Sequence, residues 1–213
     1  MSTMCIVDYG VGNIHSVMKA LKLYTDNVIL SENIDNISKA TALVLPGQGS
    51  FAAGMDGLKK RGLIELIQKK AARGTPILGI CLGAQLLLEI GYEFGTHEGL
   101  GILPGKVVAF PELQLGTKIP HMGWNSLTPA RPALWEGTAL KSLTKDPEMY
   151  FIHSYILQPS MREHIIAKTT YGGLTFPSVI GKDHILGCQF HPEKSSKEGL
   201  KIIENFVLSV EGT

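Results

Sequence analysis

The first half of this chain alternates short apolar runs with amphipathic stretches, and that order points to a parallel sheet covered on both faces. Residues 5–8 read as a strand. Residues 13–23 read as a helix with Ile14, Val17, Met18 and Leu21 on one face. Residues 28–30 and 42–45 read as strands. Residues 58–73 read as one helix ending at Gly74, followed by a strand over 76–80 and a helix from Ala84. The second half is poorer in helix. There, 106–110, 149–157, 165–169, 178–181 and 185–190 read as strands, and 196–210 as a closing helix with Leu200, Ile203, Phe206 and Val207 inward. The stretches 129–132 and 145–147 read as loops. With 213 residues, 44% of them hydrophobic, and no linker or repeat, residues 1–213 are expected to form one α/β domain. In such sheets, sites sit at the carboxyl ends of the strands.

One joint in this pattern carries chemistry. GICLGAQ, residues 79–85, puts Cys81 between an apolar run and a helical one. Gly79 and Gly83 remove side chains where a sharp strand-to-helix turn crowds the backbone. That is the logic of a nucleophile elbow, with the reactive atom at the tip of the turn. A helix N-terminus beside it favours thiolate, the nucleophilic form. A lone cysteine in an apolar run also fits a small buried hydrophobe, so the motif needs partners.

GCQFHPEKS, residues 187–195, supplies them. His191 and Glu193 are two residues apart on a chain that Pro192 keeps extended, so their side chains point the same way. Glu193 can hold the His191 ring while the ring faces Cys81. A third piece is PGQGSF, residues 46–51, after the apolar run 42–45. Its glycines allow backbone N–H groups to turn inward, as acyl chemistry requires of an oxyanion site. The expected reaction is amide hydrolysis through a thioester. Cys81 attacks, His191 moves the proton, Glu193 fixes its tautomer, and backbone N–H groups of Gln48 and Leu82 hold the oxyanion.

Cys81, His191 and Glu193 in these contexts resemble the triad of class I glutamine amidotransferases. DYGVGNIHSV (8–17), LPGQGSF (45–51), GICLGAQLL, PHMGWN (120–125), YFIHSY (150–155) and FHPEKS together resemble the glutaminase subunit of imidazole glycerol phosphate synthase, over nearly the whole chain. The resemblance implies a three-layer, flavodoxin-like α/β fold with a mixed, mainly parallel central sheet. It implies glutamine hydrolysis to glutamate and ammonia. Gly49, Gln85, Glu93, Ser154 and Tyr155 fall on glutamine-binding positions. It also implies docking on a (β/α)8-barrel cyclase that takes up the ammonia, making imidazole glycerol phosphate and AICAR in histidine biosynthesis. Asn13, Trp124, Tyr150 and Lys194 fall at that interface and in its signalling path.

Two positions depart from the pattern. Gln48 stands where valine is usual, and Ile156 where a second tyrosine is common. Both fit a paralogous branch supplying ammonia for cell-surface sugar amidation. A stand-alone γ-glutamyl hydrolase and a non-catalytic regulatory subunit are further alternatives, the last at odds with an intact triad. The net charge of +1 gives no field suited to nucleic acid or membrane. There is no zinc-spaced Cys/His cluster and no P-loop, so neither metal nor cofactor is expected. The first residues lack signal-peptide character, and no apolar stretch reaches the roughly 20 residues that span a bilayer. The three cysteines, Cys5, Cys81 and Cys188, do not form a disulfide framework, and a free catalytic thiol suits the cytoplasm.

Overall fold

The computed structural model describes residues 2–131 and 135–212. Pro132, at the end of the loop expected over 129–132, lies outside the described residues. The first half runs Met4–Val7 (β1), Ile14–Leu21 (α1), Val28–Ser31 (β2), Ile34–Lys39 (α2), Ala42–Leu45 (β3), Phe51–Lys60 (α3), Ile64–Ala72 (α4), Ile77–Ile80 (β4) and Leu82–Leu86 (α5). The second half runs Ile90–Gly91 (β5), His97–Glu98 (β6), Gly105–Ala109 (β7), His121–Ser126 (β8), Thr128–Pro129 (β9), Glu148–His153 (β10), Tyr155–Pro159 (β11), Ile165–Tyr171 (β12), Leu174–Lys182 (β13), Ile185–Cys188 (β14) and Ser196–Glu211 (α6).

The main sheet has the order β2-β1-β3-β4-β14-β13-β12-β9. Its first five strands are parallel, and β13, β12 and β9 add antiparallel pairs, so the sheet is mixed. Period two along each strand splits the core into two layers. Met4, Ile6, Ala42, Val44, Leu78 and Ile80 face one cluster, closed by α1 and α6 through Val17, Leu21, Ile203 and Phe206. Cys5, Val7, Leu43, Leu45 and Ile77 face the other, closed by Ile37, Leu58, Ile67 and Leu86 from α2 to α5. The parallel strands β1, β3, β4 and β14 are fully buried on both sides, and β2 is the half-exposed edge. Each such large aliphatic side chain contributes about 1.5–3 kcal/mol by leaving water. Among the described residues no helix is long and apolar enough to cross a membrane.

Three expected elements differ. The single helix over 58–73 is two helices. Gly62, at φ +65°, turns the chain out of the helical region between them, and α3 begins earlier, at Phe51, where the Ser50 side chain caps it. The strand over 149–157 is two strands in separate sheets. Chain pairing changes at Ser154, so that β10 pairs with β8 and β11 with β7. The helix expected from Ala84 begins two residues earlier, at Leu82, directly after Cys81. The short α2, capped by Asn33, was not anticipated; its six residues are too few to show a helical period.

The carboxyl ends of β3, β4 and β14, three neighbours in the sheet, define one edge. Backbones there meet almost without side chains. A Cβ on Gly83 would overlap the Leu45 carbonyl oxygen, and one on Gly47 would overlap Ile80 O and Gly83 N. One on Gly79 would stand 2.7 Å from Gly83 O. Gly83→Ala is therefore expected to lower stability by about 3 kcal/mol, the upper range for overpacking, because backbone rather than a flexible side chain must move. Gly74→Ala meets no atom, and its cost comes only from its φ of +87°. Urea unfolding of the two variants checks this ordering.

Candidate active site

Cys81 sits at the end of β4 with φ 50° and ψ −105°, a strained conformation for a residue with a Cβ. Its N–H donates to Cys188 O (2.7 Å) and its carbonyl accepts from Ala84 N and Gln85 N. The turn is thus tied to β14 on one side and to its own helix on the other. That helix is short, so its dipole adds less than a long helix would. Cys81 is only 8% exposed. It lies on the floor of a cavity rather than on an open tip.

His191 follows β14. Its Nδ1 lies 2.8 Å from Glu193 Oε1, and both side chains are almost fully buried. The expected pairing is present, made by the short 3-10 turn Pro192–Lys194. His191 Nε2 makes no hydrogen bond within the protein. Burial disfavours the charged ring, but the polar influence of Cys81 and of Glu193 outweighs it and lifts the His191 pKa to about 9. His153, the other histidine beside the cavity, is spoken for. Its Nδ1 meets Tyr155 O (2.8 Å) and its Nε2 meets His121 Nδ1 (3.0 Å). Burial drives its pKa down to about 3. It is a poor base candidate.

A cavity of about 200 Å³ brings the expected residues together. Its lining includes Gln48, Gly49, Cys81, Leu82, Gln85, Glu93, Ser154, Tyr155 and His191. Ser154 and Tyr155 reach it because the chain changes sheets there. Glu93 is tied to the backbone: its Oε2 accepts from Phe51 N (2.6 Å) at the start of α3. Leu82 opens α5, so its N–H has no carbonyl one turn earlier within the helix to bond. The preceding loop is anchored where Tyr9 donates its hydroxyl to Pro46 O. Gly49 has φ +135°, a region open to glycine, and the Gln48 side chain is exposed. Ile156 is a core residue at 3% exposure, outside the cavity.

The remaining sequence-derived positions lie beside the site. Trp124 is 49% exposed and meets Tyr150 edge-on across the β8–β10 pair, with ring centroids 5.9 Å apart. Met122, two residues along the same strand face, is also exposed. Lys194 donates its N–H to His191 O (3.0 Å). The Asn13 side chain caps α1 by accepting from Ser16 N (3.4 Å). Sequence reasoning missed Gln189, whose Nε2 stands 3.8 Å from Cys81 Sγ, and His121. Spacing offered a signal for the first: Gln189 is two residues before His191 on the same extended run. No group of three or more His, Cys, Asp or Glu suited to a metal occurs among the described residues.

Residues 5–210 match the family model described as glutamine amidotransferase class-I. The imidazole glycerol phosphate synthase subunit HisH of Lactococcus lactis subsp. lactis (strain IL1403) is 44% identical over 207 residues, 97% of this chain and 98% of that protein. The HisH subunit of Synechocystis sp. (strain ATCC 27184 / PCC 6803 / Kazusa) is 45% identical over 212 residues, 99% of this chain and 98% of that one. Among solved structures, a glutamine amidotransferase crystal structure superposes with TM-score 0.73 at 20% identity, covering 100% of both chains. PurLQS from Thermotoga maritima superposes with TM-score 0.73 at 17% identity, covering 98% of each. These two similarities speak to the fold alone.

The raised His191 pKa has a consequence for stability. Below its ordinary value of 6.5 the ring is protonated both folded and unfolded. Between 6.5 and about 9 only the folded chain keeps the proton, so this contribution is lost as pH rises through about 9. Urea midpoints are expected to fall between pH 6.5 and 9.5, and to fall less in Glu193→Gln, which lacks the carboxylate that holds the proton. An equal fall in both proteins would contradict the pairing.

Proposed function

The chain belongs to the class I glutamine amidotransferase family and, within it, to the glutaminase subunits of imidazole glycerol phosphate synthase in histidine biosynthesis; from that premise we propose that Cys81, His191 and Glu193 are its catalytic triad, within one amidotransferase domain spanning residues 1–213. The observation that carries the reading is a single cavity holding Cys81 and His191, with Glu193 bonded to the ring from behind. Glutamine enters with its side-chain carbonyl over Cys81. Glu93, already fixed at one oxygen by Phe51 N, offers the other to the substrate's α-ammonium. Gly49, Gln85, Ser154 and Tyr155 complete the pocket.

The proton shared between Cys81 and His191 rests on the ring, whose pKa is raised to about 9, and Glu193 stabilises that imidazolium. Cys81 Sγ forms a bond to the substrate carbonyl carbon. The oxyanion is held by the N–H groups of Leu82 and Gln48, a contribution worth about 2.7–4 kcal/mol per donor. His191 then gives its proton to the leaving nitrogen. Ammonia departs and a γ-glutamyl thioester remains. Water, deprotonated by the same ring, releases glutamate and restores the thiol.

Ammonia released into solution would be protonated and lost, so the partner must receive it directly. The exposed apolar face of Trp124 and Met122, beside Tyr150, supports docking of a (β/α)8-barrel cyclase at this end of the sheet. Asn13 and Lys194 are assigned to the same interface. Lys194 is well placed to report docking, since its backbone is bonded to that of His191. The Gly47–Gln48 peptide, in a segment flanked by Gly47 and Gly49, can hold two orientations at low strain, only one of which aims the Gln48 N–H at the oxyanion. Docking selects that one as a population shift. The free thiols and the biosynthetic relatives support a cytoplasmic setting.

Cys81→Ala is expected to abolish glutamate release while leaving the partnered enzyme able to use added ammonium salts. Lys194→Ala is expected to reduce partner stimulation more than basal turnover. Trp124→Ala is expected to weaken cyclase binding with the isolated chain still folded. Glutamate release measured with and without the cyclase and its nucleotide ligand tests all three. Full activity in the single chain, unchanged by the partner, would favour the stand-alone hydrolase.

A further inference from the structure

Gln189 is wholly buried between Cys81 and Gln85 and belongs to no part of the reaction described above. Its amide makes two contacts. Nε2 stands 3.8 Å from Cys81 Sγ, and Oε1 accepts from Gln85 Nε2 at 3.2 Å. Gln85 Nε2 also donates to the Tyr155 backbone carbonyl at 3.4 Å.

The direction of this chain is forced. A backbone carbonyl only accepts, so the Gln85 end nearest Tyr155 O must be its NH2 group. That NH2 also faces Gln189, so Gln189 must turn its oxygen toward it. The Gln189 NH2 group then has one place to go, the sulphur of Cys81. No amide in the series can flip without setting two acceptors or two donors against each other. Burial makes such a mismatch costly. The Gln85 oxygen is left for a donor on the substrate.

We infer that Gln189 is a positioning residue with two arms: its N–H holds the Cys81 sulphur and favours the thiolate, and its carbonyl locks the Gln85 amide in the orientation that receives glutamine. This rests on the assignment of Cys81 as nucleophile. It adds a donor to sulphur that the helix after Cys81, only five residues long, cannot supply alone. It also ties the pocket wall to the nucleophile through side chains rather than backbone.

The two arms separate by substitution. Gln189→Leu removes both. Gln189→Glu keeps an oxygen for Gln85 but replaces the donor with a carboxylate beside the sulphur. The wild-type chain and both variants, each saturated with the cyclase, are titrated for the rate of Cys81 alkylation by iodoacetamide against pH, and for KM and kcat with glutamine. Gln189→Leu is expected to move the alkylation midpoint up by about one pH unit, a tenfold loss of thiolate near neutrality, and to raise KM several-fold. Gln189→Glu is expected to move the midpoint further, by like-charge repulsion, with KM near wild type.

Unmoved alkylation midpoints in both variants overturn the inference, even where activity drops, because a purely structural role lowers activity without shifting the thiol. The wild-type chain gives a readout that needs no variant. Its Gln189 side-chain amide resonance is expected to titrate with the same midpoint as Cys81 alkylation, and a resonance that stays fixed overturns the inference. Wild-type alkylation that spares glutamine hydrolysis refutes the nucleophile assignment itself and is read first.

Discussion

Three bare α-carbons hold this site in place. Gly83 packs on the Leu45 carbonyl, Gly47 on Ile80 O and Gly83 N, and Gly79 on Gly83 O. Through them the end of β3, the end of β4 and the start of α5 touch backbone to backbone. Cys81 is strained at φ 50°, and strain of that kind persists only where neighbours over-determine it. These contacts do so, together with the hydrogen bond from Cys81 N to Cys188 O. Because β14 lies next to β4, the same arrangement brings His191 within reach of the sulphur. The meeting of Cys81, His191 and Glu193 is a consequence of strand order as much as of side-chain choice.

Much of this was legible from residue order. The alternation of apolar runs and helical faces indicated the parallel strands, and the Gly-x-Cys-x-Gly and His-Pro-Glu segments marked Cys81 and His191, which the fold brings to one cavity. The misses have physical reasons. Gly62 interrupts an apolar period that continues on both sides of it, so α3 and α4 read as one helix. Residues 149–157 form one run rich in aromatic and β-branched side chains, and such a run does not record a change of partner strand. Gln189 lay hidden inside an apolar run, where a buried amide is visible only through the groups that satisfy it. His121 is invisible for the same reason. It is buried between the rings of Tyr171 and Phe151, which come from distant strands.

The ribbon of β8 and β10 stands apart from the main sheet. One side presents Trp124 and Met122 outward. The other side carries His121 and His153, and Ile152 O lies 3.8 Å from Cys81 Sγ. A single two-stranded unit therefore meets Cys81 and carries the exposed apolar face.

The division of labour between the glycines and Cys81 bears on how such chains age. Cys81 lines the cavity with its side chain, whereas Gly47, Gly79 and Gly83 serve by having none. A duplicated copy freed from selection at Cys81 is expected to keep its fold when the thiol is replaced by a side chain of similar size. A side chain in place of those hydrogens at Cα would press on backbone and cost stability. Descendants that have given up hydrolysis for scaffolding should keep the glycine frame around an altered central residue, a fossil imprint of a reaction no longer performed.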